Sequence, residues 1–281
     1  MRALSVLIAL ATLWQAPTFR TGVERVQLDV AVTRGGRPVA GLTAADFTVS
    51  DNGVTQRIES AEVDDAAISV QLVLDTSSSV SGPRLQRLIE ASAGLLNALR
   101  PSDRAGLITF STSVDVRVPM TNDIERVTRA VGTVRGTGAT SLRDAVALAL
   151  EGAGAEGTRL LILVFSDGAD TASWLRGDDI VESARRSGAV VHLVEIPGPD
   201  GTSPFSMALT KAGGGRVYSA SSESQLGQLF TRALAEMRAR YVLTFAPQPA
   251  NVIGWHDLKV RTRANGVEVQ ARQGYFVNPP R

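Results

Sequence analysis

Residues 68–79 read ISVQLVLDTSSS, an apolar run that ends in a short polar turn. The run predicts a buried β-strand, and Asp75, Ser77 and Ser79 follow it at alternate positions. A carboxylate and two hydroxyls past the carboxyl end of a strand can share one crevice, and such oxygen ligands suit a hard divalent cation such as Mg²⁺. The same residue types also favour a capped turn before a helix. The stretch alone therefore leaves both interpretations open.

The middle of the chain, from about residue 66 to residue 240, alternates buried strands with amphipathic helices. The pattern predicts strands at 68–74, 105–110, 114–118, 159–165, 189–195 and 216–219. It predicts helices at 83–99, 124–134, 141–152, 178–186, 205–212 and 223–240. This repetition is typical of an α/β fold with an open, doubly wound, mostly parallel sheet. In such sheets ligands bind beyond the carboxyl ends of the strands.

Both flanks of this region have the period-two pattern of half-buried strands, over residues 17–63 and 241–281. Asn52-Gly53 predicts one hairpin, and Asn265-Gly266 predicts a second hairpin that joins strands 256–263 and 267–272. Each flank alone is too short to bury a core. We expect the flanks to form one small antiparallel β-sandwich-like domain into which the α/β domain 66–240 is inserted. Two separate β appendages are the alternative, but their exposed edges would promote aggregation.

The bulk composition excludes several classes of function. A formal net charge of +1 gives no preference for nucleic acid or an anionic membrane. The absence of cysteine excludes disulfides, thiolate metal sites and cysteine nucleophiles. Of the two histidines, we expect His192 to be hydrogen-bonded within a strand and His256 to be structural or exposed. Arg185-Arg186 and residues 238–240 are expected to be solvated helix faces.

The N-terminus predicts export. Residues 4–14 form a short apolar stretch after Met1-Arg2. This length is typical of a secretory signal peptide and too short to span a bilayer. A core strand or helix is the alternative interpretation. With a signal peptide at 1–16 and no disulfides, we expect an exported bacterial protein, periplasmic or extracellular, without a stable transmembrane segment after cleavage.

Two further loops offer oxygen ligands at the same edge of the predicted sheet. Thr140 lies in the glycine-rich segment 136–142, which opens a predicted helix, and Asp167 directly follows strand 159–165. If the sheet is parallel, both loops face the edge that carries Asp75. Asp75, Ser77, Ser79, Thr140 and Asp167 would form a six-coordinate oxygen site. Water would complete the coordination, and one position would be left open.

These segments carry a family resemblance. The Asp75-x-Ser77-x-Ser79 motif, the segment 138–142 and the segment 165–168 resemble, in order and spacing, the metal-ion-dependent adhesion site of von Willebrand factor type A domains. Residues 103–111 are similar to the second strand of that family, and the resemblance covers about residues 66–240. The flanks resemble the bacterial exported proteins usually called VWFA-related domain proteins.

The resemblance implies a mechanism of binding by coordination. Ser77, Ser79 and Thr140 would hold Mg²⁺, with Mn²⁺ or Ca²⁺ as alternatives, through their hydroxyl oxygens. Asp75 and Asp167 would contact the ion directly or through water. A Glu or Asp carboxylate of a protein partner would fill the open position. The implied function is a Mg²⁺-dependent, adhesion-type protein-binding module and not an enzyme.

Two other functions remain open at this point. The protein could be a structural or assembly factor of the cell envelope, in which the metal only stabilises the loops. A metal-dependent hydrolase is a third hypothesis, although no general base stands out beside the site. Asp170 and Trp174 follow Asp167 in a segment that is either an ordinary surface loop or a partner contact made by Trp174 and Arg176.

Overall fold

The computed structural model describes residues 25–152, 159–167, 170–197, 201–249 and 252–277. The predicted signal peptide at 1–16 lies outside these ranges. The N-terminal flank contains β1 (Val26–Arg34), β2 (Arg37–Pro38), β3 (Phe47–Asp51), β4 (Val54–Gln56) and β5 (Ile58–Val63).

The middle region alternates strands and helices as the sequence predicts. Its elements are β6 (Ile68–Asp75), α1 (Pro83–Asn97), β7 (Arg104–Phe110), β8 (Val114–Thr121), α2 (Ile124–Val131), α3 (Leu142–Glu151), β9 (Arg159–Ser166), α4 (Gly177–Ser187), β10 (Val190–Glu195), α5 (Pro204–Ala212), β11 (Val217–Ser219) and α6 (Leu226–Arg238). The C-terminal flank contains β12 (Tyr241–Phe245), β13 (Gly254–Thr262), β14 (Glu268–Ala271) and β15 (Gly274–Val277). The last predicted helix begins three residues late, because Glu223–Gln225 forms a 3-10 turn.

The central sheet has the strand order β11-β10-β9-β6-β7-β8. Its strands are parallel except β8, which pairs antiparallel with β7 at one edge. Apolar side chains of α1, α2 and α6 pack on one face, and those of α3, α4 and α5 pack on the other. After β6 the chain adds β7 and β8 on one side of it, and it then adds β9, β10 and β11 on the other side. The carboxyl ends of β6 and β9 therefore border the position where open α/β sheets bind ligands.

The two flanks of the chain pair with each other. One antiparallel sheet has the order β14-β1-β12-β5, with β2 paired to β1, and a second has the order β15-β13-β3-β4. Each sheet contains strands from both ends of the chain. Their apolar side chains share one buried cluster, which includes Leu28 and Val49 from the N-terminal flank and Leu243 and Leu258 from the C-terminal flank.

Of the two hairpins predicted at Asn-Gly dipeptides, the structure contains one. Asn52-Gly53 joins β3 to β4 with positive φ angles of 47° and 84°, which confirms the predicted hairpin. The hairpin predicted across Asn265-Gly266 is wrong, because β13 pairs with β3 and β15 while β14 pairs with β1. Gly266 does adopt a positive φ of 65°. The turn reverses the chain between two sheets, since Val260 and Val269 both pack on the shared core.

A buried cluster of charges lies at the end of α6. The Glu236 carboxylate is 2.8 Å from Arg216 Nε and 3.1 Å from Arg240 Nη2, and it accepts a hydrogen bond of 2.9 Å from the Tyr218 hydroxyl. Arg240 is fully buried, so the expectation of a solvated face at residues 238–240 is wrong. The pairing with Glu236 allows the guanidinium to be buried, because an unpaired charge would be strongly destabilising.

His192 lies against the same cluster, and its burial predicts that the folded protein loses stability in acid. It is fully buried, and its Nδ1 accepts a hydrogen bond of 3.1 Å from the Arg216 backbone N–H, as the predicted structural role requires. Burial lowers the pKa of His192 to about 3. Between pH 6.5 and pH 3 the unfolded chain therefore binds a proton that the folded protein excludes. As the pH falls through this window, the free energy of unfolding should decrease by roughly 1–2 kcal/mol per pH unit from this residue.

The measurement is urea unfolding at several pH values for the wild type and for His192→Asn, whose amide oxygen can replace Nδ1 as the acceptor. We expect a shallower pH dependence in the variant below pH 6.5, whatever its stability at pH 8. Parallel pH profiles of the two proteins would contradict the assignment.

Candidate metal and partner site

Asp75 ends β6 and is held on both sides of its carboxylate. Its Oδ1 accepts a hydrogen bond of 2.8 Å from the backbone N–H of Ser77, and its Oδ2 accepts one of 2.9 Å from the Ser166 hydroxyl at the end of β9. The residue is fully buried. Burial raises the pKa of Asp75, while the hydrogen bonds from Ser77 and Ser166 oppose that change. The carboxylate therefore has a fixed position between two neighbouring strands.

A chain of oxygen atoms connects the loop after β6 to the loop after β9. Ser77 Oγ lies 3.0 Å from Ser79 Oγ, and Ser79 Oγ donates a hydrogen bond of 2.8 Å to Asp167 Oδ1. The Asp167 side chain is fully buried. The structure thus brings Asp75, Ser77, Ser79 and Asp167 together at the carboxyl ends of β6 and β9.

Thr140 lies on a loop that is hydrogen-bonded to the Asp75 loop. Gly138 C=O accepts a hydrogen bond of 3.0 Å from the Ser78 N–H, and the Thr137 N–H donates one of 2.8 Å to Thr76 C=O. Gly138 has a φ of 83°, and a Cβ there would lie 2.5 Å from Thr112 Oγ1, so the close approach requires glycine. Thr140 itself is buried, with 6% of its surface exposed. All five residues predicted for the site lie on these three interlinked loops.

Arg84 is a neighbour of the site that sequence reasoning missed. Its guanidinium forms an ion pair with Asp167 Oδ2 and contacts Glu223 Oε1 at 3.3 Å. Partial burial lowers the pKa of Arg84, but the Asp167 and Glu223 carboxylates outweigh this effect and raise it. The sequence contained only a weak signal, since a cation in the first turn of α1 opposes the helix dipole, and this did not indicate Asp167 as the partner.

The arrangement of donors fits a hard divalent cation. In octahedral coordination with Mg–O distances of about 2.1 Å, adjacent ligand oxygens lie about 3 Å apart. Ser77 Oγ and Ser79 Oγ lie 3.0 Å apart, and Ser79 Oγ and Asp167 Oδ1 lie 2.8 Å apart. These hydrogen-bond distances are short enough for the same oxygens to be adjacent ligands of one ion. In the described residues, no cluster of three or more His, Cys, Asp or Glu side chains is placed to bind a metal. A metal at this edge would therefore need the hydroxyl oxygens of Ser77, Ser79 and Thr140 in addition to the carboxylates of Asp75 and Asp167.

Comparisons with known proteins agree with the central fold. Residues 70–169 match the sequence model of the von Willebrand factor type A domain. No curated protein matches the chain. A solved von Willebrand factor type A protein from Catenulispora acidiphila is similar in structure, with a TM-score of 0.55 and 12% identity over 92% of this chain and 76% of that one.

Two further solved structures are similar over a smaller part of the chain. Proximal thread matrix protein 1 from the mussel byssus has a TM-score of 0.52 and 14% identity, over 65% of this chain and 48% of that one. BatB from Bacteroides thetaiotaomicron has a TM-score of 0.49 and 18% identity, over 61% of this chain and 98% of that one. The matched sequence model lies within the α/β fold of β6 to α6, so residues 70–169 are similar to the von Willebrand factor type A domain in sequence and in fold.

Proposed function

We propose that the protein is a divalent-cation-dependent protein-binding module. Asp75, Ser77, Ser79, Thr140 and Asp167 would hold Mg²⁺, with Mn²⁺ or Ca²⁺ as alternatives. A partner protein would supply a Glu or Asp carboxylate to the open coordination position. The observation that carries this proposal is the oxygen chain from Ser77 through Ser79 to Asp167, at the position where the strand order diverges.

The charges around the site favour an acidic partner. Asp75 and Asp167 are the carboxylates of the proposed ligand set, and Arg84 already offsets the charge of Asp167. A divalent ion bound there would keep positive charge directed toward solvent and would attract a carboxylate. Members of this domain family are generally interaction modules and not enzymes, which supports binding over catalysis.

The cellular setting and the domain organisation belong to the same proposal. We infer export from a bacterial cell, to the periplasm or the exterior, from the signal-peptide pattern at residues 1–16. Among the described helices, none has both the length and the apolar character needed to cross a bilayer. We also propose that residues 17–63 and 241–281 form one β-sandwich-like domain that carries the domain 66–240, because their strands share a core.

The experiment is capture of envelope proteins by the immobilised protein, with Mg²⁺ or with EDTA, in the wild type and in Asp75→Ala. We expect partners that are retained only in Mg²⁺ and only by the wild type. An identical set of captured proteins in EDTA would contradict the function. If Mg²⁺ raised the melting temperature while capture survived EDTA, the alternative of an envelope assembly factor with a purely stabilising metal would be supported instead.

Replacing Arg84 should strengthen metal binding. The guanidinium pairs with a proposed ligand, so it repels an incoming cation and holds Asp167 Oδ2. Arg84→Gln removes the charge and keeps a hydrogen-bond donor. Because a part-exposed charge pair is worth about 1 kcal/mol, we expect the Kd for Mg²⁺ to fall about fivefold. Isothermal titration calorimetry measures this change, with Arg87→Gln on the exposed side of α1 as the control. A weaker affinity in Arg84→Gln would show that Arg84 positions Asp167 for the metal.

A further inference from the structure

An exposed tryptophan stands beside the proposed metal site. Trp174 is 93% exposed, the highest value among the large apolar side chains of the described residues, and the adjacent Leu175 is 44% exposed. Trp is enriched at interfaces, because its ring is largely apolar and its N–H can still form a hydrogen bond. Trp174 and Leu175, with the exposed Arg176 that follows them, are called the rim triplet below.

The backbone of the rim triplet is held firmly by carboxylates. Asp144, in the first turn of α3, accepts hydrogen bonds of 3.0 Å from the backbone N–H groups of both Trp174 and Leu175. Asp170 accepts a hydrogen bond of 3.1 Å from the Ser173 N–H and one of 2.6 Å from its hydroxyl. A backbone that is already fixed needs no further ordering of the loop when a partner binds. The exposure of Trp174 is therefore a built feature of the loop.

The loop that carries the rim triplet is hydrogen-bonded to Thr140, a predicted metal ligand. The backbone N–H groups of Thr171 and Ala172 donate hydrogen bonds of 2.9 Å and 3.0 Å to Thr140 C=O, and the Thr140 N–H donates one of 3.1 Å to Thr171 Oγ1. Three residues of chain span at most about 11 Å. The Trp174 backbone therefore lies within that distance of Thr171, and a short partner segment could contact the site and Trp174 together.

The charge of the rim triplet selects the chemistry of the partner. In the described part of the chain, the Arg176 guanidinium has no hydrogen-bond or ion-pair partner, while the nearby Arg143 is paired with Asp170. Asp144 and Asp170 already accept hydrogen bonds from the loop. Asp178 and Asp179 follow in the first turn of α4 and are exposed, so an acidic group of a partner would have to contact the Arg176 guanidinium itself. The triplet thus offers apolar surface with one unpaired guanidinium, which fits a segment that carries a large apolar side chain and an acidic group at Arg176. Trp and Arg are also the residues most enriched in binding hot spots.

We propose that Trp174, Leu175 and Arg176 form a partner-binding surface for an acidic protein segment that carries a large apolar side chain within a few residues of its carboxylate. The apolar side chain packs on Trp174 and Leu175, and Arg176 contacts a further acidic group of the segment. The proposal rests on the proposed function, because the carboxylate of the segment is taken to reach the site at Asp75.

The experiment is selection of displayed random twelve-residue peptides on the wild-type protein in Mg²⁺, followed by affinity measurements on the best synthetic peptide. We expect selected sequences to combine Asp or Glu with a neighbouring aromatic or large aliphatic residue. Trp174→Ala should weaken binding about 30-fold, as expected for a hot-spot residue. Ile253→Ala, which removes a 58% exposed apolar side chain from the C-terminal flank, should leave affinity unchanged.

The outcomes separate this surface from the metal-dependent function. Peptides that need Mg²⁺ but bind Trp174→Ala and Arg176→Ala as tightly as the wild type would overturn the surface and leave the function intact. Peptides that need Trp174 but ignore EDTA and Asp75→Ala would contradict the function and the carboxylate part of the surface. Failure to enrich any sequence on the wild type over Trp174→Ala would overturn the proposal.

Discussion

Asp75→Ala is expected to abolish the stabilisation of the protein by Mg²⁺. In the wild type, Mg²⁺ at about 100 times its Kd should add about 2.7 kcal/mol to the free energy of unfolding, because the ion binds only the folded site. The variant loses the carboxylate that fixes the loop after β6 through Ser77 and Ser166. The measurement is thermal unfolding in EDTA and in increasing Mg²⁺.

Two further variants make this result interpretable. Asp75→Asn keeps the shape of the side chain and removes the charge. Because burial raises the pKa of Asp75, we expect Asp75→Asn to be at least as stable as the wild type in EDTA and still insensitive to Mg²⁺. Asp115→Ala removes an exposed carboxylate from β8 and should retain the full response. An equal Mg²⁺ response in Asp75→Asn and the wild type would place the ion elsewhere.

Glu236→Gln is expected to lower the free energy of unfolding by about 3–5 kcal/mol, because it leaves the buried Arg240 guanidinium without its ion-pair partner. Arg240 has no exposed surface, and Arg216 contacts the same carboxylate at 2.8 Å. Arg216 also contacts Thr33 and keeps its ion pair with Glu268 of β14, so most of the expected loss comes from Arg240. Urea unfolding measures the loss.

The matched control is Glu182→Gln on α4. Glu182 forms ion pairs with Arg185 and Arg186, but all three side chains are substantially exposed. An exposed pair contributes at most about 1 kcal/mol. A loss in Glu236→Gln no larger than that in Glu182→Gln would mean that the buried cluster is not needed for stability.

The placement of the site residues at one edge of the sheet was predictable, because they follow strands whose direction and order the pattern constrains. Asp75 and Asp167 come directly after buried strands, and parallel strands bring their carboxyl ends to one edge. Thr140 was recognisable from the glycine-rich loop and the family resemblance. Arg84 was not, because its contact with Asp167 depends on how α1 is oriented relative to β9.

The errors in the flanks and in α6 have a common physical cause. Asn265-Gly266 predicts a chain reversal correctly, but local turn chemistry does not specify which sheet receives the next strand. Arg240 was expected to be solvated because charged residues usually are. Its burial depends on Glu236, four residues earlier, and on Gly214, whose C=O accepts a hydrogen bond of 2.7 Å from Arg240 Nη2. These features arise from tertiary packing, which a one-dimensional pattern does not contain.

The most direct test of a cation held by these oxygens is anomalous diffraction from crystals grown with Mn²⁺. We expect one strong anomalous peak within coordination distance of Ser77 Oγ and Ser79 Oγ, bordered by Thr140 and Asp167. We also expect the peak to be absent from crystals of Asp75→Ala. The contradicting result is a wild-type crystal in which Mn²⁺ is fully bound at some other position. In that crystal Arg84 would still be bound to Asp167, and no peak would lie between the three loops that carry the proposed metal ligands.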